Sequence, residues 1–298
     1  MLHETLTLFE GTDSYLDIYI QNPEISFGVT KTRPLILICP GGAYVDTATK
    51  EGEATALAFL ALGYHVAVLR YRTYRINRVT INPHAHFEGY VRDIMEAMKL
   101  IDDNREVWGI DGDAVFVCGF SAGGHLTGYL GLNWDDPDFL SKYYPHQKPS
   151  IFKPKGLIMC YAPIRFEDIK ADPQGLSPEM IEMLHQALFN RADEAILRPR
   201  LDLTQSVRSD MPPVFLWHTM ADKVTSVSGA VSFVQALLAQ DVPCEAHFYQ
   251  KGKHGLGVAT DTHARFSDDV NTRVQTWLGL ADAWIRGVIE DDKEITNR

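Results

Sequence analysis

Continuous apolar runs of strand length alternate along this chain with stretches whose apolar positions recur at helical spacing. Residues 34–39 (PLILIC) have no polar side, the mark of a strand buried on both faces. Residues 65–71, 114–118, 156–161, 214–218 and 244–249 read as further strands. Helices fit 51–62, with Ala54, Leu57, Ala58 and Leu60 apolar and Gly63 placed to end it, and 88–107, where Val91, Ile94, Met95, Met98 and Ile101 share a face. Two more fit 226–240 and 267–288. This alternation predicts an α/β fold: a mostly parallel, twisted sheet with helices on both faces. At the start of the chain, 3–9 and 14–21 read as strands joined at Gly11-Thr12-Asp13, and the imperfect alternation of the second suits an exposed edge hairpin. Residues 72–87 read as a polar loop, and Asp111-Gly112-Asp113 as a turn.

Two stretches break the rhythm. Residues 133–155 carry Pro137, Tyr143, Tyr144, Pro145 and Pro149, and 163–210 hold a helix near 177–189 and another near 191–197. Both read as a small cap over a site, with ordinary surface decoration as the alternative. Repeats, low-complexity tracts and linkers are absent, so 1–298 reads as a single domain with these insertions.

Composition mainly removes possibilities. Hydrophobic residues at 45% and charged residues at 22% suit a globular protein with a sizeable core, and a net charge of −11 argues against nucleic acid as a partner. No apolar run approaches the roughly 18 residues of a membrane span, and the first residues lack a basic and then apolar leader pattern. Cys39, Cys118, Cys160 and Cys244 sit in or beside apolar runs without C-x-x-C spacing, which predicts reduced thiols and a cytoplasmic location. His84 and His86 lack the neighbouring acids or cysteines of a metal site, so neither metal nor cofactor is expected. Oligomeric state is open.

The chemistry centres on Gly119-Phe120-Ser121-Ala122-Gly123, which follows a strand and precedes a helix beginning near His125. A serine on so sharp a turn is the nucleophile elbow of α/β-hydrolases, and side chains two positions either side of it would collide with the strand and helix. The pattern alone is weak; its context strengthens it. A serine hydroxyl needs a base, and the base needs a carboxylate. His254, in the glycine-rich loop 250–257 after the last strand, and Asp222, just past the strand 214–218, both fall at the carboxyl end of the sheet, where open α/β sheets place their sites. Asp222 could instead cap the helix after it, and Asp202 is the nearest rival acid. An oxyanion also needs amide donors: Ala122, next to the nucleophile, and the loop Pro40-Gly41-Gly42-Ala43-Tyr44, where Gly42 leads and Ala43 follows. Tyr44 is a candidate for the pocket wall or for loop packing, His125 for a structural hydrogen bond, and Phe120 and Trp217 for the core.

These segments together, with Glu51-Gly52-Glu53, Gly63-Tyr64-His65, Leu69-Arg70-Tyr71-Arg72, residues 212–218 and Lys251-Gly252-Lys253-His254-Gly255-Leu256, resemble one group. It is the bacterial α/β-hydrolase esterases similar to acetylxylan esterases and feruloyl-esterase-like domains of the BD-FAE type. The resemblance implies hydrolysis of short-chain, acetyl-type carboxylic esters, deacetylation of xylo-oligosaccharides or other small sugar esters being one form, without metal or cofactor. It also implies Ser121, Asp222 and His254 as triad and the Gly42 region with Ala122 as oxyanion donors. Two departures stand out: Ala43 replaces a third loop glycine, and Pro40 stands where hormone-sensitive-lipase-like relatives have histidine. A peptidase or amidase of the same fold and a non-catalytic binding protein are the alternatives.

Overall fold

The apolar runs assemble into one eight-stranded sheet in a computed structural model that describes residues 1–22, 24–26, 29–169 and 176–296. Its strands are β1 (Leu2–Thr7), β2 (Tyr15–Ile20), β3 (Arg33–Cys39), β4 (His65–Arg70), β5 (Ile110–Phe120), β6 (Gly156–Cys160), β7 (Val214–Thr219) and β8 (Cys244–Tyr249). Their spatial order is β1-β2-β4-β3-β5-β6-β7-β8. β2 is antiparallel to both β1 and β4, and every later pairing is parallel.

Alternation along the buried strands sorts side chains onto two faces. Leu35, Leu37, Val115, Val117, Leu157, Met159, Val214 and Leu216 face one core. Helices α2 (Phe87–Asp103), α3 (Ala122–Asn133) and α7 (Val227–Ala239) cover it. Ile36, Ile38, Phe116, Cys118, Ile158, Phe215 and Trp217 face the other, under α1 (Thr49–Ala61) and α8 (Thr276–Thr296). Each fully buried aliphatic side chain contributes about 1.5–3 kcal/mol relative to exposure, which is why strands with no polar side are stable only between two helical layers. Phe120 and Trp217 are core residues, as their patterns suggest.

Several elements differ from their sequence reading. The N-terminal hairpin is not an exposed edge as a whole: β1 is the edge, but β2 is sandwiched between β1 and β4, and Leu16, Ile18, Tyr19 and Ile20 are buried. Its alternation is blurred because both faces are covered. Residues 111–113 form no separate turn; they belong to β5, which opens with a register irregularity opposite Arg33 and Leu35. The long helix at 88–107 is two pieces, because Asn104 leaves helical geometry (ψ 5°) and bonds the Leu100 carbonyl through its side chain before a short turn at Arg105–Trp108. The closing helix begins at Thr276; Ser267–Asp269 is a 3₁₀ turn held by the Asp269 carboxylate on the Phe266 amide. Inside the polar loop, Arg75–Ile76 pairs with Thr80–Ile81.

The two irregular stretches have different fates. The first holds α4 (Pro137–Tyr143) and packs on α2, through Lys142 and Tyr143 on Glu88 and Tyr144 on Glu96. The second holds α5 (Pro178–Phe189) and α6 (Glu194–Arg200), the latter three residues later than its sequence reading; 170–175 lie outside the described residues. Cys39, Cys118, Cys160 and Cys244 are free thiols. Among the described residues no helix is long and apolar enough to cross a membrane.

Candidate active site

The strand β5 ends at Phe120, and α3 starts at Ala122, leaving Ser121 alone to turn the chain. Its backbone takes φ 50° and ψ −121°, a region that costs a residue with a side chain on the order of 1–3 kcal/mol. Glycine on either side is obligatory. A Cβ at Gly119 would sit 2.2 Å from Thr127 Oγ1 and 2.3 Å from the Gly123 carbonyl, and one at Gly123 would sit 2.0 Å from the Cys39 carbonyl at the end of β3. The Ser121 amide donates to the Cys160 carbonyl at 2.9 Å, fixing the elbow to the neighbouring strand.

Three residues far apart in sequence meet at this end of the sheet. Ser121 Oγ lies 2.8 Å from His254 Nε2, and His254 Nδ1 lies 2.7 Å from Asp222 Oδ2. A carboxylate accepts only, so Nδ1 carries hydrogen and Nε2 is free to accept the serine proton. Asp222 is held in a tight turn after β7: its Oδ1 accepts from the Val224 and Thr225 amides at 2.8 and 3.0 Å. Burial works to raise its pKa, but hydrogen bonds from His218 and His254 hold its carboxylate far below the usual range, so it stays ionised. The helix that follows is capped by Ser226 instead, and Asp202 caps the turn at Leu203–Gln205.

The His254 loop is tied down at several points. Thr219 Oγ1 donates to the Gly252 carbonyl at 2.8 Å, Trp277 Nε1 to the Gly257 carbonyl at 3.0 Å, and Lys253 pairs with Asp268 at 2.7 Å. Gly252, Gly255 and Gly257 all have positive φ, which is why this loop is glycine-rich.

After β3 the chain makes a turn in which the Val45 amide bonds the Gly42 carbonyl at 3.0 Å, with Ala43 and Tyr44 at φ 56° and 58°. The Asp46 amide bonds the same carbonyl at 3.0 Å, and the amides of the two central residues, Ala43 and Tyr44, take no part in these bonds. Gly42 itself sits at φ 125°, and a Cβ there would lie 1.9 Å from the Asp46 carbonyl. Two non-glycine residues in this conformation need bracing. The polar loop supplies it, its Tyr74 and Arg75 amides donating to the Tyr44 and Val45 carbonyls at 2.9 and 3.0 Å. The Tyr44 ring stacks on Tyr90, and its hydroxyl meets His125. At the opposite side of Ser121, Ala122 begins α3, so its amide has no carbonyl one turn back to bond.

A cavity of about 30 Å³ opens beside Ser121. Ala43, Tyr44, Ala122 and His125 form its floor, so Ala43 and Ala122 border it directly, while Gly42 shapes the turn behind. The second irregular stretch forms the roof, through Phe166, Ile169, Leu184, Leu188 and Leu201; the first contributes nothing to this wall. The His125 ring is wholly buried, with Nε2 2.9 Å from the Leu201 carbonyl.

Four residues of this site have no role in the sequence reading. His218 Nε2 approaches Asp222 Oδ2 at 3.3 Å, and Thr225 Oγ1 donates to the same oxygen at 3.1 Å. Tyr161 stands edge-on to His254 with ring centroids 5.0 Å apart, and Glu51 accepts its hydroxyl at 2.7 Å. A buried tyrosine at a strand end and a glutamate in the first turn of a helix carry no local signal that distinguishes them from core and helix-dipole residues.

A mostly parallel sheet of this topology, with Ser121 on the turn after β5 and Asp222 and His254 in the loops after β7 and β8, is that of an α/β-hydrolase. Within that class the chain belongs to the BD-FAE family, whose model matches residues 16–237. It is 29% identical over 243 residues to endo-1,4-beta-xylanase B of Butyrivibrio fibrisolvens, a match covering 82% of this chain and 34% of that protein. With esterase LipC of Mycobacterium tuberculosis it shares 27% identity over 212 residues, covering 70% of this chain and 49% of the relative. The chain thus spans between a third and a half of the length of these two relatives. The crystal structure of an acetyl ester-xyloside bifunctional hydrolase from Caldicellulosiruptor lactoaceticus superposes with a TM-score of 0.74 at 27% identity, covering 96% of each chain.

Proposed function

We propose that this chain is a serine carboxylesterase acting on short-acyl, acetyl-type esters of small molecules, acetylated xylo-oligosaccharides among them. The observation that carries the reading is the continuous relay from Ser121 through His254 to Asp222, at 2.8 and 2.7 Å. In this reading Ser121 Oγ attacks the ester carbonyl as His254 Nε2 takes its proton, and Asp222 stabilises the imidazolium. The oxyanion is met by the Ala122 amide and by the amides of the Gly42–Ala43 turn. Collapse expels the alcohol with the proton from His254; water then attacks the acyl-enzyme with the same histidine as base, releasing the acid.

The small apolar cavity beside Ser121 supports a short acyl group, since each methylene beyond the space available must displace Leu184, Leu188 or Leu201. The sugar alcohol is supported by the family and by the acetyl ester-xyloside hydrolase named above. The test is turnover of a p-nitrophenyl ester series from acetate to octanoate, beside acetylated xylo-oligosaccharides and an aminoacyl amide, by wild type and Ser121→Ala. The expected result is a preference for acetate and loss of all ester turnover in the variant, with its circular dichroism unchanged. Turnover retained by Ser121→Ala, or faster cleavage of the amide, would overturn the reading.

A further inference from the structure

A buried carboxylate outside the triad joins the two loops on which the proposed chemistry depends. Glu51 lies in the first turn of α1, a position where an acidic residue is ordinarily solvated and interacts with the helix dipole. Here it is 2% exposed and turned inward. Burying a carboxylate costs several kcal/mol unless its oxygens are satisfied, and both oxygens of Glu51 are taken by groups of the active site.

Oε2 accepts the Gly41 amide at 2.7 Å. Gly41 immediately precedes the strained turn at 42–45, and it is pinched: a Cβ there would lie 2.8 Å from both Glu51 Oε2 and Ser121 Cβ. Oε1 accepts the Tyr161 hydroxyl at 2.7 Å, and the Tyr161 oxygen accepts the Gly257 amide at 3.0 Å, in the loop that carries His254. Tyr161 is itself held at φ 40°, directly after Cys160, whose carbonyl receives the Ser121 amide. One carboxylate therefore links the oxyanion turn, the elbow strand's neighbour and the histidine loop in a single hydrogen-bonded chain.

We propose that Glu51 is a positioning residue for ester hydrolysis, holding the oxyanion turn and the His254 loop in register with Ser121, an inference that rests on the serine-esterase reading above. A rigid link between donor and base matters because the tetrahedral oxyanion forms only when both are in place. A misplacement of about 1 Å costs on the order of 100-fold in rate. The loss falls on kcat, because the amide of the turn meets the oxygen fully only in the transition state.

The test uses Glu51→Ala, Glu51→Gln and Tyr161→Phe with p-nitrophenyl acetate, kcat being expressed per site titrated with a fluorophosphonate so that unfolded protein is not counted. Glu51→Ala is expected to lose about 100-fold in kcat with KM within about threefold. Glu51→Gln keeps an oxygen that accepts one of the two bonds, and should recover at least about 10-fold of that loss. Tyr161→Phe removes both bonds of the Tyr161 hydroxyl, to Glu51 Oε1 and from the Gly257 amide, while leaving Gly41 on Oε2. It should cost about 10-fold, and it carries the test should Glu51→Ala fail to fold. A lowered melting temperature with wild-type kcat per titrated site in these variants would overturn the inference and leave the serine reading intact. Wild-type protein that neither turns over the ester nor takes up the fluorophosphonate would overturn both.

Discussion

Tyr44 Oη lies 2.9 Å from His125 Nδ1, joining the residue after Ala43 to the helix that begins beside Ser121. The direction of this bond follows from its neighbours. His125 Nε2 faces the Leu201 carbonyl, which can only accept, so Nε2 carries the hydrogen. Burial lowers the His125 pKa and keeps the ring neutral, leaving Nδ1 as acceptor and the tyrosine as donor. The strained turn is therefore held through a side chain that also touches the roof of the cavity. Tyr44→Phe should leave a buried acceptor unpaired and cost about 1–3 kcal/mol, read as a shift in urea midpoint. It should also lower kcat more than it raises KM; an unchanged midpoint and kcat would show that the turn holds itself.

In the proposed relay Asp222 is the acid, and His218 and Thr225 reach the same oxygen, Oδ2, that accepts from His254. Asp222→Asn replaces an acceptor by an amide that favours the wrong histidine tautomer, and a fall of about 10⁴-fold in kcat is expected. Steady-state kinetics on p-nitrophenyl acetate measure it. A loss under tenfold would remove Asp222 from the reaction.

Gly123 is a steric requirement of the elbow. The 2.0 Å clash of a Cβ with the Cys39 carbonyl sets backbone against backbone, so neither side can rotate away. Gly123→Ala should destabilise the protein by about 3 kcal/mol or more, visible as a lost or strongly shifted denaturation transition. A variant as stable as wild type would mean that α3 can move relative to β3.

The roof of the cavity should set acyl length. Trimming Leu184 or Leu188 to alanine adds space for roughly two or three methylenes. The ratio of kcat/KM for butyrate over acetate should rise about 10-fold or more. The p-nitrophenyl ester series measures this directly, and an unchanged ratio would place the acyl group elsewhere.

Buried histidines should make the fold acid-sensitive before its carboxylates do. Burial, with the nearby Arg33, lowers the His65 pKa to about 4, and burial lowers that of His125. Their unfolded values lie near about 6.5, so between that value and the folded one the unfolded chain binds more protons than the native state. Stability is then fully present above pH 6.5 and falls as pH drops toward 4, by up to about 1.4 kcal/mol per pH unit for each histidine. Asp222, ionised in the fold far below its unfolded value, adds a further loss only below about pH 4. Melting temperatures at pH 7 and pH 5 measure the slope. His65→Gln, which can still accept the Gln21 amide, should flatten it; an equal slope in the variant would assign the effect elsewhere.

Local pattern determined much of this protein. Apolar runs without a polar side, at strand length and separated by helical spacing, were enough to read a parallel sheet buried on both faces, because both periodicities are properties of neighbouring residues. The glycines around Ser121, those before Tyr44 and those around His254 were legible for the same reason: each sits where a side chain would collide or where φ is positive. Tertiary structure decided the rest. It placed β2 inside the sheet, ran residues 111–113 into β5, and gave the roof of the cavity to only one of the two irregular stretches, since those outcomes depend on what packs opposite. It also brought Ser121 within 2.8 Å of a histidine 133 residues away, and closed Glu51 onto Gly41 and Tyr161. Such contacts leave no periodic trace in the chain: a glutamate early in a helix reads alike whether it meets water or an active site, and only the fold decides which.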